Sequence, residues 1–133
     1  QEGIIKMAQL HGEESEEYIR ELKAQTQNAP IIKAVRVAKR EDVECRRNTL
    51  ADYLLFDAFS QKEYGGTGET FDWSLLEGVQ KPFFLAGGIR MENVQEAVRV
   101  VQPYGVDVSS AVETHGYKDE KKIWDMVNAV RAL

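Results

Sequence analysis

The chain has 133 residues, 43% of them hydrophobic and 29% charged, and a net charge of −5. This composition fits one globular domain, residues 1–133, with enough chain to bury a core. Its cations are scattered (Lys39 and Arg40, Arg46 and Arg47, Lys121 and Lys122). That excludes a general nucleic-acid binder, which clusters Lys and Arg against phosphates. No apolar run approaches the roughly 18 residues of a membrane span, so no membrane partner is expected. The single cysteine, Cys45, excludes an internal disulfide or a cysteine metal cluster and fits a reducing cytoplasm. The opening "QEGIIKMAQL" has no signal-peptide pattern and enters an apolar segment abruptly, as though another segment preceded it.

The elements alternate along the chain. "GIIKMAQLH" (3–11) reads as a buried strand. "EESEEYIRELKAQ" (13–25) reads as a helix with Tyr18, Ile19 and Leu22 on one face, acids in its first turn and Ser15 as a cap. "PIIKAVRV" (30–37) is a β-branched strand, "KREDVECRRN" (39–48) a short helix and "DYLLFDAF" (52–59) a third strand. A glycine-rich loop, "KEYGGTGE" (62–69), leads to a short helix around "FDWSLLEGV". "KPFFLAGG" (81–88) is a fourth strand. "MENVQEAVRVV" (91–101) is a helix with Met91, Val94, Ala97, Val98 and Val101 on one stripe. "YGVDVSS" (104–110) is a fifth strand. "DEKKIWDMVNAVRAL" (119–133) closes as a helix with Ile123, Met126, Val127, Val130 and Leu133 on its apolar face.

Five strands, each followed by a helix, form a parallel α/β pattern. An open doubly wound sheet completes itself with five units, whereas a (β/α)8 barrel needs eight and about 250 residues, so length favours the open sheet. Either way, ligands bind at the C-terminal ends of the strands. There stand His11 and Gly12, Lys33 and Arg36, Asp57, Gly87 and Gly88, and Asp107, Ser109 and Ser110.

Asp57 lies inside the apolar "LLFDAF". It is either a rim residue capping a loop or a general acid whose pKa an apolar pocket raises. Asp107 has the same two readings, and loop orientation is assigned to it. Gly87-Gly88 alone is a tight turn or a ligand floor. With Ser109-Ser110 after the next strand, free backbone N–H groups, hydroxyls and a helix N-terminus favour a phosphate. "YGGTG" has the composition of a mobile lid but not the spacing of a nucleotide phosphate loop. His11 reads more readily as structural than as a base. His11 and His115 lack metal-ligand spacing. Lys33 either meets an anionic substrate or pairs with a carboxylate. Cys45, in a helix and away from the strand ends, is read as inert.

"AQLHGEE", "IIKAVRV", "LLFDA", "EYGGTGETFDWSLL", "FFLAGGIRMENV" and "GVDVSSAVE" together resemble the phosphoribosylanthranilate isomerase family of tryptophan biosynthesis, from about residue 6 to the C-terminus. The resemblance implies a (β/α)8 barrel and recasts the chain as a partial TIM barrel, its five β/α units being strands four to eight of the C-terminal portion. The alternative is rearrangement into an open flavodoxin-like sheet. The implied reaction is an Amadori rearrangement of N-(5′-phosphoribosyl)anthranilate to 1-(2-carboxyphenylamino)-1-deoxyribulose 5-phosphate, without metal or organic cofactor. The resemblance gives Asp57 the general-acid role and Gly87, Gly88, Ser109 and Ser110 the substrate phosphate, with Asp107, His11 and Lys33 in support. The family's base, a cysteine in a first-strand Lys-x-Cys-Gly, has no match in this sequence, nor has its arginine near the second strand, and Ala111 stands where the family usually has glycine. The expected partners are a phosphosugar substrate and either further copies of the chain or a complementing N-terminal segment. The alternative function is a non-catalytic phosphate-ligand-binding or interaction fragment of such an enzyme.

Overall fold

Residues 31–37, "IIKAVRV", alternate in burial along their length: Ile31, Lys33, Val35 and Val37 are buried, while Ile32 and Ala34 are half-buried and Arg36 is exposed. This period of two is the mark of a strand whose faces meet different surroundings. A computed structural model describes residues 5–58 and 72–133. Its strands are β1 (Ala8–Leu10), β2 (Ile31–Val37), β3 (Tyr53–Ala58), β4 (Phe83–Leu85) and β5 (Gly105–Val106). Helices α1 (Glu16–Gln25), α2 (Arg40–Glu44), α3 (Val94–Val101) and α4 (Glu120–Arg131) and a 3-10 turn at Trp73–Leu76 lie between and after them.

The five strands form one parallel sheet in sequential order, β1-β2-β3-β4-β5. A flavodoxin-like sheet would have the order 2-1-3-4-5, so the chain does not adopt that alternative. The two ends of the sheet do not pair with each other, and no barrel closes among the described residues. The core shows why the order is sequential. Val35, Val37, Leu54, Phe56, Phe83 and Leu85, all on one face of the sheet, pack with Val43 of α2, Leu76 of the 3-10 turn, Val94 and Ala97 of α3, and Met126 of α4. A smaller cluster joins Ile19 of α1 to Ile31 and Ala51. The helices therefore cover one face, as right-handed crossovers in a singly wound sheet require.

The other face carries Gln9, Ile32, Ala34, Arg36, Tyr53, Leu55, Asp57 and Phe84, which sit side by side in register. Tyr53, Phe84 and Tyr104 form an aromatic cluster with ring centroids 5.2–5.9 Å apart. Tyr104 is 66% exposed.

Several expectations change. Ser15 caps α1 as expected, accepting from the Tyr18 N–H, but Tyr18 itself is exposed and only Ile19 of its face is fully buried. Met91 lies before α3, which begins at Val94, and is exposed. On α4, Met126 is buried while Ile123, Trp124 and Leu133 are exposed, since one sheet face offers cover to a single narrow stripe. The fourth and fifth strands are shorter than expected: Gly87, Gly88 and Ser109 leave the ladder for loops, and Ser110 opens a second 3-10 turn, Ser110–Val112. An antiparallel hairpin, β6 (Glu113–Thr114) and β7 (Tyr117–Lys118), stands where the sequence reading had only a loop. Its turn is made by His115 and Gly116, both at positive φ. The glycine-rich loop and Phe71 fall outside the described residues.

Candidate functional site

Asp57, one residue before the end of β3, pairs in register with Arg36 of β2, on the sheet face that the described helices leave open. Two adjoining cavities meet at Asp57, Ala86 and Asp107. The smaller, about 520 Å³, is lined by Asp57, Gly87, Gly88, Asp107, Ser109 and Ser110, together with Arg90. The larger, about 550 Å³, adds His11, Lys33 and Arg36. All eight residues singled out in the sequence thus border one continuous hollow at the C-terminal ends of the strands.

The glycine loop has a defined shape. Gly87 and Gly88 hold φ of 75° and 67°, where a Cβ is strained. Asn93 locks the loop: its Nδ2 donates to the Gly88 carbonyl at 2.9 Å, and its Oδ1 accepts from the Arg90 N–H at 2.8 Å. Sequence reasoning passed over Asn93, which it placed inside the helix read over 91–101. The signal was there, since asparagine is the usual residue for tying backbone locally. Arg90 was passed over as well.

Lys33 has the more prosaic of its two readings. It is 1% exposed and lies on the helix-covered face. Its ammonium donates to the Gly12 carbonyl and to Glu14 Oε2, the latter at 2.6 Å. The Lys33 hydrogen bond holds the Glu14 carboxyl down at about 2, against an ordinary value of 4.5. Glu14 in turn accepts from the Gly12 N–H. Lys33 therefore clamps the loop that brings exposed His11 to the cavity, and it is not aimed at a ligand. Arg36 is the cation on the open face: it borders the larger cavity beside Asp57 and makes no hydrogen bond or ion pair among the described residues. Cys45 is nearer the site than expected. It borders the larger cavity at the end of α2, with its thiol donating to the Asp42 carbonyl at 3.2 Å.

Ser109 is held by Lys118 of the β6–β7 hairpin. Lys118 Nζ donates to Ser109 Oγ at 2.9 Å, to the Ser109 carbonyl at 3.0 Å and to Glu113 Oε1 at 2.6 Å. Lys122 Nζ donates to the Glu113 carbonyl, and Thr114 Oγ1 to Asp119 Oδ2, each at 2.6 Å. The arrangement offers a carboxyl group at the junction of two hollows, with two glycines and two serines lining one of them. That combination suits proton donation to a substrate tethered by an anionic group.

The profile of one protein family, N-(5′phosphoribosyl)anthranilate (PRA) isomerase, matches residues 1–129. The chain is 49% identical over 129 residues to the N-(5′-phosphoribosyl)anthranilate isomerase of Endomicrobium trichonymphae, covering 97% of this chain and 62% of that one. It superposes on the phosphoribosyl anthranilate isomerase of Thermotoga maritima with a TM-score of 0.81 at 38% identity, covering 97% of this chain and 63% of that one. A phosphoribosyl anthranilate isomerase solved with reduced 1-(o-carboxyphenylamino)-1-deoxyribulose 5-phosphate superposes with a TM-score of 0.76 at 34% identity, covering 97% and 61%. The chain thus spans just over three fifths of the length of these relatives. No helix among the described residues is long and apolar enough to cross a membrane.

Proposed function

Because the chain belongs to the N-(5′-phosphoribosyl)anthranilate isomerase family, we propose that it carries the phosphate-binding and acid-donating part of that isomerase. The reaction is the Amadori rearrangement of N-(5′-phosphoribosyl)anthranilate. Asp57 gives its proton to the furanose ring oxygen as the C1–O bond breaks, and the anilino nitrogen supplies the electron pair that forms the Schiff base. Loss of the C2 proton to a base gives the enamine, whose enol tautomerises to the ketone of 1-(2-carboxyphenylamino)-1-deoxyribulose 5-phosphate. Gly87, Gly88, Ser109 and Ser110 hold the phosphate. Asp107 orients the loops, and Lys33, through Glu14 and Gly12, holds His11 at the rim. In this reading the single domain 1–133 corresponds to strands four to eight of a TIM barrel. The base is a cysteine that this sequence does not supply. A complementing N-terminal segment, or a second copy of the chain, covers the open face.

One observation carries the reading: Asp57 lines the same hollow as both glycines and both serines. The chain alone is expected to bind reduced 1-(2-carboxyphenylamino)-1-deoxyribulose 5-phosphate without turning over the substrate. Combined with a segment bearing the cysteine strand, it is expected to be active. Asp57→Asn should then slow turnover about 10²- to 10⁴-fold while leaving analogue binding intact. Equal rates for the parent and Asp57→Asn refute the acid role, and full activity from the chain alone refutes the placement of the base.

A further inference from the structure

We propose that Lys118 is a positioning residue for the anion subsite: it fixes Ser109 as a hydrogen-bond donor toward the cavity. The inference rests on the reading of that cavity as the phosphate subsite.

An ammonium group has three N–H donors and no acceptor. Those of Lys118 are all engaged, two on Ser109 and one on Glu113. A serine hydroxyl has one O–H and two lone pairs. With a lone pair of Ser109 Oγ taken by the ammonium, its hydrogen is repelled from that side and left for an acceptor elsewhere. Ser109 lines the cavity, and Lys118 does not. The Ser109 carbonyl, which would repel an anion, is occupied by the same ammonium. The ammonium thus engages both the carbonyl and the hydroxyl oxygen of Ser109, and the hydroxyl's own hydrogen is available to an anionic oxygen.

The hairpin exists in the form needed for this. Its turn at His115-Gly116 reverses the chain so that Lys118 lies opposite Glu113 in register. Glu113 then holds the ammonium from the far side, with the Lys122 ammonium on its backbone carbonyl. Lys118 is half exposed, so its charge alone is screened by water. Its distinctive effect is orientational and is transmitted through Ser109.

The test measures binding of ribose 5-phosphate to the chain by titration calorimetry, with ribose as control. Lys118→Met is expected to weaken binding about tenfold, the scale of one hydrogen bond to a charged group. Ser109→Ala is expected to weaken it similarly. Because Lys118 acts through Ser109, the double variant is expected to lose no more than Ser109→Ala alone. Lys118→Arg keeps donors for both Ser109 oxygens and is expected to bind within about threefold of the parent. If Lys118→Met does not fold, the arginine variant decides: a loss as large as that of Ser109→Ala overturns the proposal. Unchanged binding by Lys118→Met overturns it, as does an equal further loss in the Ser109→Ala background. Those results leave the phosphate reading standing, whereas a parent chain that binds ribose 5-phosphate no better than ribose sinks both.

Discussion

Replacing Glu14 by glutamine keeps the shape of the Lys33 clamp and removes its negative charge. Lys33 is 1% exposed, so Glu14→Gln leaves a buried ammonium held by neutral oxygens. Breaking one side of a fully buried pair costs about 3–5 kcal/mol. A second bound comes from the carboxyl itself. Its fall from 4.5 to about 2 sets a ceiling of about 3 kcal/mol, at about 1.4 kcal/mol for each tenfold change in proton affinity. The Glu14 side chain is 23% exposed, so solvent screening brings the expected loss to about 1–2 kcal/mol. The folded chain holds the Glu14 proton more weakly than the unfolded chain does. The contribution is therefore fully present above pH 4.5 and is lost as pH falls through about 2. Urea denaturation of both proteins at pH 7 and at steps down to pH 2.5 measures the difference. It should be about 1–2 kcal/mol at pH 7 and shrink below pH 4.5. A difference that stays constant with pH, or one below about 0.5 kcal/mol at pH 7, refutes the clamp.

Gly88→Asp places a carboxylate and a Cβ at a φ of 67°. Calorimetry should find ribose 5-phosphate binding abolished, and circular dichroism the fold retained, since aspartate tolerates left-handed backbone better than most residues; undiminished binding returns Gly87 and Gly88 to a plain turn. The purified chain is expected to sediment as a dimer or larger assembly, because among the described residues β1 and β5 each leave one edge unpaired and no helix lies over the face bearing Tyr53, Phe84 and Tyr104. A monodisperse monomer across the micromolar range would contradict that expectation.

The five β/α units and the residues at the strand ends were legible in the sequence. Runs such as "IIKAVRV" and "LLFDAF" have only one comfortable conformation, and glycine pairs mark where strands stop. The strand order was not legible, since the same alternation builds singly and doubly wound sheets. What decides it is the side on which each crossover packs. Lys33 and Arg36 show the cost of reading strand ends without phase. They are three residues apart and so face opposite sides of β2, Lys33 with the core and Arg36 with Asp57. Counting by twos from buried Ile31 would have separated them. Ile123 and Leu133 misled for a related reason: an apolar stripe marks the face that can be covered, and here the sheet is too narrow to cover all of it. The hairpin escaped because histidine followed by glycine is a weak turn signal beside asparagine-glycine.

The sequential strand order also governs how the chain folds. Paired residues of neighbouring strands are 21 to 29 positions apart, from Ile32 with Tyr53 to Leu54 with Phe83, and among the described residues no pairing joins the first strand to the last. Each unit needs only its predecessor as a template. The entropy of closing a loop is spent in short, similar instalments, with no single long-range closure. Stability is then close to a sum over neighbouring interfaces, as in repeat proteins. Removing or adding a unit at either edge changes that sum by one interface and leaves the register of the rest undisturbed.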